Sequence, residues 1–296
     1  METLKIVFED YIRQVVGKSK ASTFVTEDNV FQEGDEDILP YLDKMIDELV
    51  LPGSGVDGME NLEMLLEKAE SGKSCLLLPE HYSNLDLSLI SRLVAKAGGR
   101  GRDIAKAIVP IAGMKLNEEN PVVSAFASAY TRIIIYPSRS LEGLDSEKNK
   151  TELIRSNAIN RAAMKKLIDI KTKGRLILVF PSGTRYRPWD PGSKRGVREI
   201  DSYIKSFDYM CPISLNGEIL HIRQGDMMED SVSRDLVRIG AGPVLSCTEF
   251  RDKIRAGADS EDKKQAVADA IMTMLEQMHV EGETKRERHD TFCNNR

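Results

Sequence analysis

The sequence has little of what marks several large classes of protein. It contains four cysteines, Cys75, Cys211, Cys247 and Cys293, none in a CxxC or Cys/His spacing, so neither a disulfide framework nor a structural zinc site is expected. No apolar run approaches the roughly 18 residues of a membrane-spanning helix. Residues 1–10 are acidic and lack the basic and then apolar regions of a signal peptide. A cytoplasmic setting is therefore expected.

An excess of positive charge is also missing. The formal net charge is −5, which gives no overall reason to expect a nucleic-acid partner. What is present is the composition of a folded domain, with 41% hydrophobic and 30% charged residues. Apolar residues recur three and four apart in residues 1–70, for example at Leu62, Leu65, Leu66 and Ala69, which predicts a small helical N-terminal subdomain.

From residue 71 to 280, short apolar runs alternate with amphipathic stretches. This alternation predicts an α/β domain with a mixed, mostly parallel sheet flanked by helices. Strands are expected at 75–79, 105–112, 131–136, 175–180, 209–215 and 236–241, and helices at 84–97, 119–130, 152–171, 199–207 and 262–279. Residues 281–296 are polar and charged and are expected to form a flexible tail.

His81 has the most informative context of the four histidines. It follows a buried apolar strand and precedes the start of a helix, with Ser83 or Asn84 as the expected N-cap and Asp86 in the first turn. If the turn folds back, Asp86 can accept a hydrogen bond from the ring, leaving the other nitrogen to act as a base. The spacing alone is short and common, and taken by itself it is better explained by a capping residue beside an incidental histidine. His279 is expected simply to close the last helix.

A second informative segment follows the strand expected at 175–180. Gly183 permits a tight turn, and Arg185 and Arg187 stand between two prolines, an arrangement suited to bidentate phosphate binding. Lys194 and neighbouring arginines extend the positive charge. A solvated loop with ion pairs explains the charge but not the close succession of Pro, Gly and Arg, so an anion site is favoured.

Two further arginines flank the strand expected at 131–136. Arg132 and Arg139 are each candidates for the same anion site. Arg132 can equally cap the preceding helix, and the residues alone do not decide between these roles.

Together these segments resemble the glycerolipid acyltransferase superfamily. Glu80-His-Tyr-Ser-Asn-Leu-Asp86 is similar to its His-x4-Asp motif, and Phe180-Pro-Ser-Gly-Thr-Arg185 to its Phe-Pro-Glu-Gly-Thr-Arg motif. Met210-Cys-Pro-Ile213 matches a later hydrophobic-Pro-hydrophobic motif. The motifs occur in the family's order over about residues 70–280. Pro181-Ser-Gly-Thr-Arg-Tyr-Arg-Pro188 most resembles the soluble, plastid-type glycerol-3-phosphate acyltransferases, although Arg139-Ser140 replaces their Lys-His pair.

The resemblance implies transfer of a fatty acyl group from acyl carrier protein or coenzyme A to glycerol 3-phosphate, for phospholipid synthesis. His81 would be the base, Asp86 its partner, and Arg139, Arg185 and Arg187 the phosphate ligands, with no metal or other cofactor. Further candidate site residues are Ser83, Asn84, Arg132, Gly183, Thr184 and Lys194. Backbone amides near Ser83 and Asn84 are candidates for stabilising the oxyanion.

Three alternatives remain open at this point. The acceptor is either glycerol 3-phosphate or its 1-acyl product. A phosphate-ester hydrolase and a non-catalytic lipid or phosphate-binding protein of the same fold are the other two. The cytoplasmic setting leaves room for a peripheral contact with the inner face of the membrane.

Overall fold

The computed structural model describes residues 1–19, 24–114, 120–137 and 149–294. The strands are β1 Phe31–Gln32, β2 Gly55–Asp57, β3 Cys75–Pro79, β4 Ile108–Gly113, β5 Arg132–Ile135, β6 Leu176–Leu178, β7 Tyr209–Asn216, β8 Leu220–His221, β9 Ser231–Val232, β10 Arg238–Ala241 and β11 Leu245–Ser246. The helices are α1 Leu4–Val7, α2 Glu9–Lys18, α3 Leu39–Leu49, α4 Met59–Glu70, α5 Asp86–Lys96, α6 Gly101–Ala107, α7 Pro121–Ala127, α8 Lys150–Ile170, α9 Ile200–Ser206, α10 Cys247–Gly257 and α11 Lys263–Asn294.

Nine of the described strands form one sheet, in the order β1-β5-β4-β6-β3-β7-β10-β2, with β11 paired to β7. The central pairs β5–β4, β4–β6, β6–β3 and β3–β7 are parallel, as is the edge pair β10–β2. The pairs β1–β5, β7–β10 and β7–β11 are antiparallel. The expected mixed, mostly parallel sheet flanked by helices is confirmed.

The central strands are apolar along their whole length because both faces of the sheet are covered. Successive side chains of β3 alternate between two cores: Cys75 and Leu77 enter the first, whereas Leu76 and Leu78 enter the second. Helices α1 to α7 contribute to the first core, and α8 to α11 contribute to the second. Chain order therefore separates the helices onto the two faces of the sheet.

Several expected boundaries are corrected. Residues 105–107 are the end of α6 rather than the start of a strand, and β4 begins at Ile108. The first 70 residues contain two short strands besides helices: β1 pairs with β5, and β2 pairs with β10. The division into a subdomain of residues 1–70 and a domain of residues 71–280 stays a prediction.

The last helix does not end at His279. It continues to Asn294 through the segment expected to be a flexible tail, because side chains elsewhere in the chain hold it. Asn216 Nδ2 donates to the His279 carbonyl at 2.8 Å, and Arg286 Nη1 donates to Asp235 Oδ1 at 3.0 Å. Gly282 is needed at this contact, since a Cβ there would lie 2.1 Å from the Asn216 side-chain oxygen. None of the helices in the described parts of the chain is both long enough and apolar enough to cross a bilayer.

Candidate active site

The His-x4-Asp turn and the arginine loop leave neighbouring strands at the same edge of the sheet. Strands β3 and β6 are parallel and in register, with Leu77 opposite Leu178, so the segments after them emerge together. The backbone amide of Tyr186, between the two loop arginines, donates to the His81 carbonyl at 2.8 Å. The His81 ring stacks on Phe180, with centroids 3.8 Å apart and 16° between the planes. The His-x4-Asp turn and the arginine loop are therefore in direct contact at this edge of the sheet.

Asp86 holds the His81 ring in one orientation. Its Oδ2 lies 2.9 Å from His81 Nδ1 and also accepts hydrogen bonds from the amides of Tyr82 at 2.6 Å and Ser83 at 2.9 Å. The Ser83 hydroxyl donates to Oδ1 at 2.7 Å. Asp86 is only 3% exposed, so these donors replace the water that it loses on burial. A carboxylate facing Nδ1 favours the tautomer that leaves the lone pair on Nε2.

The structure corrects the expected roles of several turn residues. Helix α5 begins at Asp86 with Leu85 as its N-cap, rather than with Ser83 or Asn84 in that position. The Ser83 amide is bonded to Asp86 and is not available to an oxyanion. The Gly183 amide donates to the Phe180 carbonyl at 2.9 Å, and this glycine adopts φ +64°, which a side chain would strain.

The remaining candidates of the two turns are placed as follows. Asn84 and Gly183 line the cavity described below. The Thr184 carbonyl accepts a hydrogen bond from the Ser182 hydroxyl at 2.6 Å, which closes the turn between strand and arginines. A role of the Asn84 amide in stabilising an oxyanion stays a prediction.

The two loop arginines carry positive charge next to the His–Asp pair. Burial lowers the pKa of Arg185; the carboxylate of Asp230 opposes this change, and the like charge of Arg187 adds to it. Asp230 Oδ2 lies 3.6 Å from Arg185 Nη1, an ion-pair distance that leaves the guanidinium donors able to bind another anion. Within the described residues no carboxylate pairs with the Arg187 side chain. An anionic group is therefore favoured here.

Asp230 was not found from the sequence. It is 1% exposed, burial raises its pKa, and its other oxygen accepts a hydrogen bond from the Arg223 amide at 2.8 Å. Asp230 reaches Arg185 only through the fold, because it lies in a separate segment before β9. No local spacing signals this contact.

Two of the other basic candidates lie near the site but have partners of their own. Arg132 lines the cavity described below, and Lys194 Nζ lies 5.4 Å from the centroid of the Tyr186 ring in the arginine loop. Arg132 is 1% exposed and donates to the carbonyls of Ala127 at 2.8 Å and Tyr130 at 3.3 Å, and to the side chain of Gln32. It therefore caps α7, and burial lowers its pKa to about 10. Lys194 forms an ion pair with Glu276 of α11. Arg139 lies outside the described residues.

An apolar cavity of about 490 Å³ opens at His81. Its walls come from segments far apart in the chain, which is why the sequence did not locate it. Apolar lining residues include Val123, Phe126, Ile133, Ile135, Leu167 and Val179. Its size and composition are typical of a site for a small, mainly apolar ligand.

A second histidine–carboxylate pair joins the last helix, α11, to the residues of the His-x4-Asp turn. His279 Nδ1 lies 2.9 Å from Glu80 Oε2, which also accepts a hydrogen bond from the Leu215 amide at 2.8 Å. The Tyr82 hydroxyl donates to Glu80 Oε1 at 2.8 Å. The hydrogen bond that the His279 ring makes to the Glu80 carboxylate raises the pKa of His279, although burial opposes this change. His279 thus contacts the His-x4-Asp turn instead of closing a helix as expected.

Chemically, the site offers a base, an anion site and an apolar cavity. The described residues contain no group of three or more His, Cys, Asp or Glu side chains that would hold a metal ion. Fold and site together define an α/β protein whose histidine–aspartate pair opens on an apolar cavity beside two arginines.

A family model described as acyltransferase matches residues 56–225, more than half of the 296 residues. The chain therefore belongs to the acyltransferase family and is an acyltransferase. The match includes the His-x4-Asp turn, the arginine loop and β7, and it supports the resemblance to the glycerolipid acyltransferases. No curated protein matches the chain in a direct comparison.

Proposed function

We propose that the protein is a glycerol-3-phosphate O-acyltransferase that forms lysophosphatidate for phospholipid synthesis. The observation that carries the proposal is the juxtaposition of His81 with both Arg185 and the apolar cavity. The Tyr186–His81 backbone bond joins the base to the arginine loop, and the cavity opens at the base itself. A phosphorylated alcohol and a fatty acyl chain are the ligands that these two neighbours suit.

The reaction needs no covalent enzyme intermediate. His81 Nε2 removes the proton of the acceptor hydroxyl as its oxygen attacks the thioester carbonyl, and Asp86 stabilises the imidazolium that forms. The tetrahedral intermediate then collapses, the carbon–sulfur bond breaks, and the leaving thiolate takes the proton back from His81. The products are the ester and the free thiol, and the enzyme returns to its starting state.

Phosphate binding orients the acceptor. Arg185 and Arg187 present planar donors that bind phosphate oxygens bidentately. Binding energy at the phosphate, remote from the reacting hydroxyl, holds that hydroxyl next to His81 and lowers the entropic part of the barrier. The apolar cavity holds the acyl chain of the donor in the same way.

The identity of the thiol carrier is part of the proposal, with acyl carrier protein and coenzyme A as the two candidates. The positive charge of Lys194, Arg195 and Arg198 suits the acidic surface of a carrier protein. Two of these residues, Lys194 and Arg198, form ion pairs with Glu276 and Asp262. Arg195 is exposed and remains for such a contact. We place the reaction in the cytoplasm, with a peripheral contact to the inner face of the membrane.

An acyl-transfer assay with purified protein tests the proposal. Glycerol 3-phosphate and 1-acylglycerol 3-phosphate are each offered with acyl carrier protein and coenzyme A thioesters. We expect acylated glycerol 3-phosphate as the main product. Acylation of the second acceptor alone would identify the alternative acyltransferase, release of free phosphate would identify a hydrolase, and no product from any pairing would leave only the binding function.

A further inference from the structure

Helix α8 presents an apolar face to the solvent. Its buried residues, Ile159, Ala163, Leu167 and Ile170, enter the second core. At about 100° per residue, Ile154 and Ile168 lie on the opposite side. These two side chains, which lie near the two ends of α8, are 62% and 59% exposed, which is unusual for isoleucine.

Basic residues share this face, and acidic residues do not. Lys150, Arg161 and Lys165 fall within the same stripe as the two isoleucines, and none of them forms an ion pair with a described carboxylate. Of the two acidic residues of α8, Asp169 lies beside the stripe and Glu152 lies on the opposite side of the helix. Both are paired: Glu152 with Arg155 at 3.6 Å, and Asp169 with Lys173 at 2.6 Å. In a chain of net charge −5, this face attracts anions.

The same helix forms part of the cavity wall. Met164 is 49% exposed and also lines the apolar cavity that opens at His81. The cavity wall therefore reaches the edge of the outward face. An acyl chain that leaves the cavity past Met164 meets the exposed isoleucines.

We propose that this outward face of α8, defined by Lys150, Ile154, Arg161, Lys165 and Ile168, binds the surface of an anionic lipid bilayer. The stripe from Ile154 to Ile168 is about 21 Å long at 1.5 Å per residue. Interspersed apolar and cationic side chains along such a length suit an interface in which apolar groups enter the acyl boundary and cations contact anionic headgroups. A second copy of the chain fits poorly, because symmetric pairing would bring Arg161 and Lys165 against their own counterparts.

The biological sense of the surface depends on the proposed function, but its test does not. The product of the proposed reaction is an acylated, anionic phospholipid precursor, and such a molecule partitions into a bilayer. Binding to vesicles is measured without turnover. If the protein binds vesicles but does not transfer acyl groups, the proposed function is refuted and the membrane-binding surface stands. If it transfers acyl groups but does not bind vesicles, the surface is refuted and the function stands.

The test is co-sedimentation of the full chain with vesicles of phosphatidylcholine, with and without phosphatidylglycerol. We expect binding only when phosphatidylglycerol is present, and release by salt. Ile154→Glu and Ile168→Glu should each lower partitioning about tenfold or more, since each removes an isoleucine that would insert into the bilayer and adds a charge that anionic headgroups repel. The matched control is Ile6→Glu, because Ile6 is 64% exposed on α1, against the other face of the sheet.

The electrostatic part is separated by Arg161→Gln with Lys165→Gln, which should weaken partitioning about 25-fold at roughly fivefold per cation. All variants should keep wild-type turnover with a soluble thioester, which shows that they fold. The proposal is overturned if the wild-type protein does not co-sediment with anionic vesicles, or if Ile6→Glu loses as much binding as Ile154→Glu. It is also overturned if the α8 variants lose turnover selectively with acyl carrier protein in the absence of lipid, because the face would then serve the carrier.

Discussion

Two histidine–carboxylate pairs flank the end of β3, and their contact distances are the same. His81 and Asp86 are 2.9 Å apart, as are His279 and Glu80. The first pair stacks on Phe180 and opens on the cavity, whereas the second joins α11 to the back of the turn. The difference teaches that a short histidine–carboxylate distance does not by itself assign a catalytic role. Under the proposed function, the cavity and the arginine loop beside His81 distinguish the first pair from the second.

The largest expected effect comes from removing each of the two imidazoles separately. We expect His81→Ala to lower kcat by about 10²–10⁴, the usual contribution of a positioned general base, with acceptor KM little changed. His279→Ala should retain most of the turnover. Steady-state kinetics with saturating thioester measure this, and equal losses in the two variants would contradict the distinction.

The next largest effect concerns the arginine loop that lies beside the His81–Asp86 pair. Arg185→Ala should raise the KM for the phosphorylated acceptor by about 10- to 100-fold, the loss expected for charge-assisted hydrogen bonds, while kcat falls less. Arg198→Ala is the matched control, because Arg198 is exposed and paired with Asp262. If the two substitutions change KM equally, the arginine loop does not bind the acceptor.

For the His279–Glu80 pair, which joins α11 to the turn, the expected effect is on the stability of the fold. Glu80→Ala removes the acceptor of the Leu215 amide, the Tyr82 hydroxyl and the His279 ring, and should lower the free energy of unfolding by about 2–3 kcal/mol. Glu80→Gln, which keeps an acceptor oxygen, should cost less. Urea unfolding followed by circular dichroism measures both; an unchanged midpoint for Glu80→Ala would show that the pair does not support the turn.

The smallest effect is a pH dependence. The pKa of His279 is raised by Glu80 in the folded protein, so its contribution to stability is complete below the ordinary value of about 6.5 and is lost as the pH rises through the raised value. Unfolding measured from pH 6 upward should show this decline in the wild type. In His279→Gln the same decline should be absent. If the stability advantage of the wild type over His279→Gln instead grew with pH, the pKa of His279 would be lowered in the folded protein rather than raised.

Much of this arrangement follows from local sequence. Strand β3 matches residues 75–79 as expected, because an uninterrupted apolar run between polar turns specifies a buried strand. The turn between His81 and Asp86 is likewise local, and its hydrogen bonds lie within six residues. The arginine loop was favoured as an anion site from its own residues, and resemblance to the family motifs favoured a catalytic role for His81 over an incidental histidine beside a capping residue.

What the sequence did not predict depends on contacts between distant segments. Asp230 reaches Arg185, and Glu80 reaches His279, only after the sheet has formed. The polar end of α11 was expected to be flexible because local polarity does not reveal its partner Asn216 at the end of β7. The choice between two roles for Arg132 was open for the same reason, since Gln32 lies on a distant strand.

The hydrogen bond from the Tyr186 amide to the His81 carbonyl has one more consequence. It is made by the main chain, so apart from proline no substitution at either position removes its donor or acceptor. The spacing between the base and the arginines is thereby a property of the backbone and acts as a molecular ruler. Under the proposed function this spacing selects acceptors by the number of bonds between hydroxyl and phosphate, independently of the acyl chain that the cavity accepts.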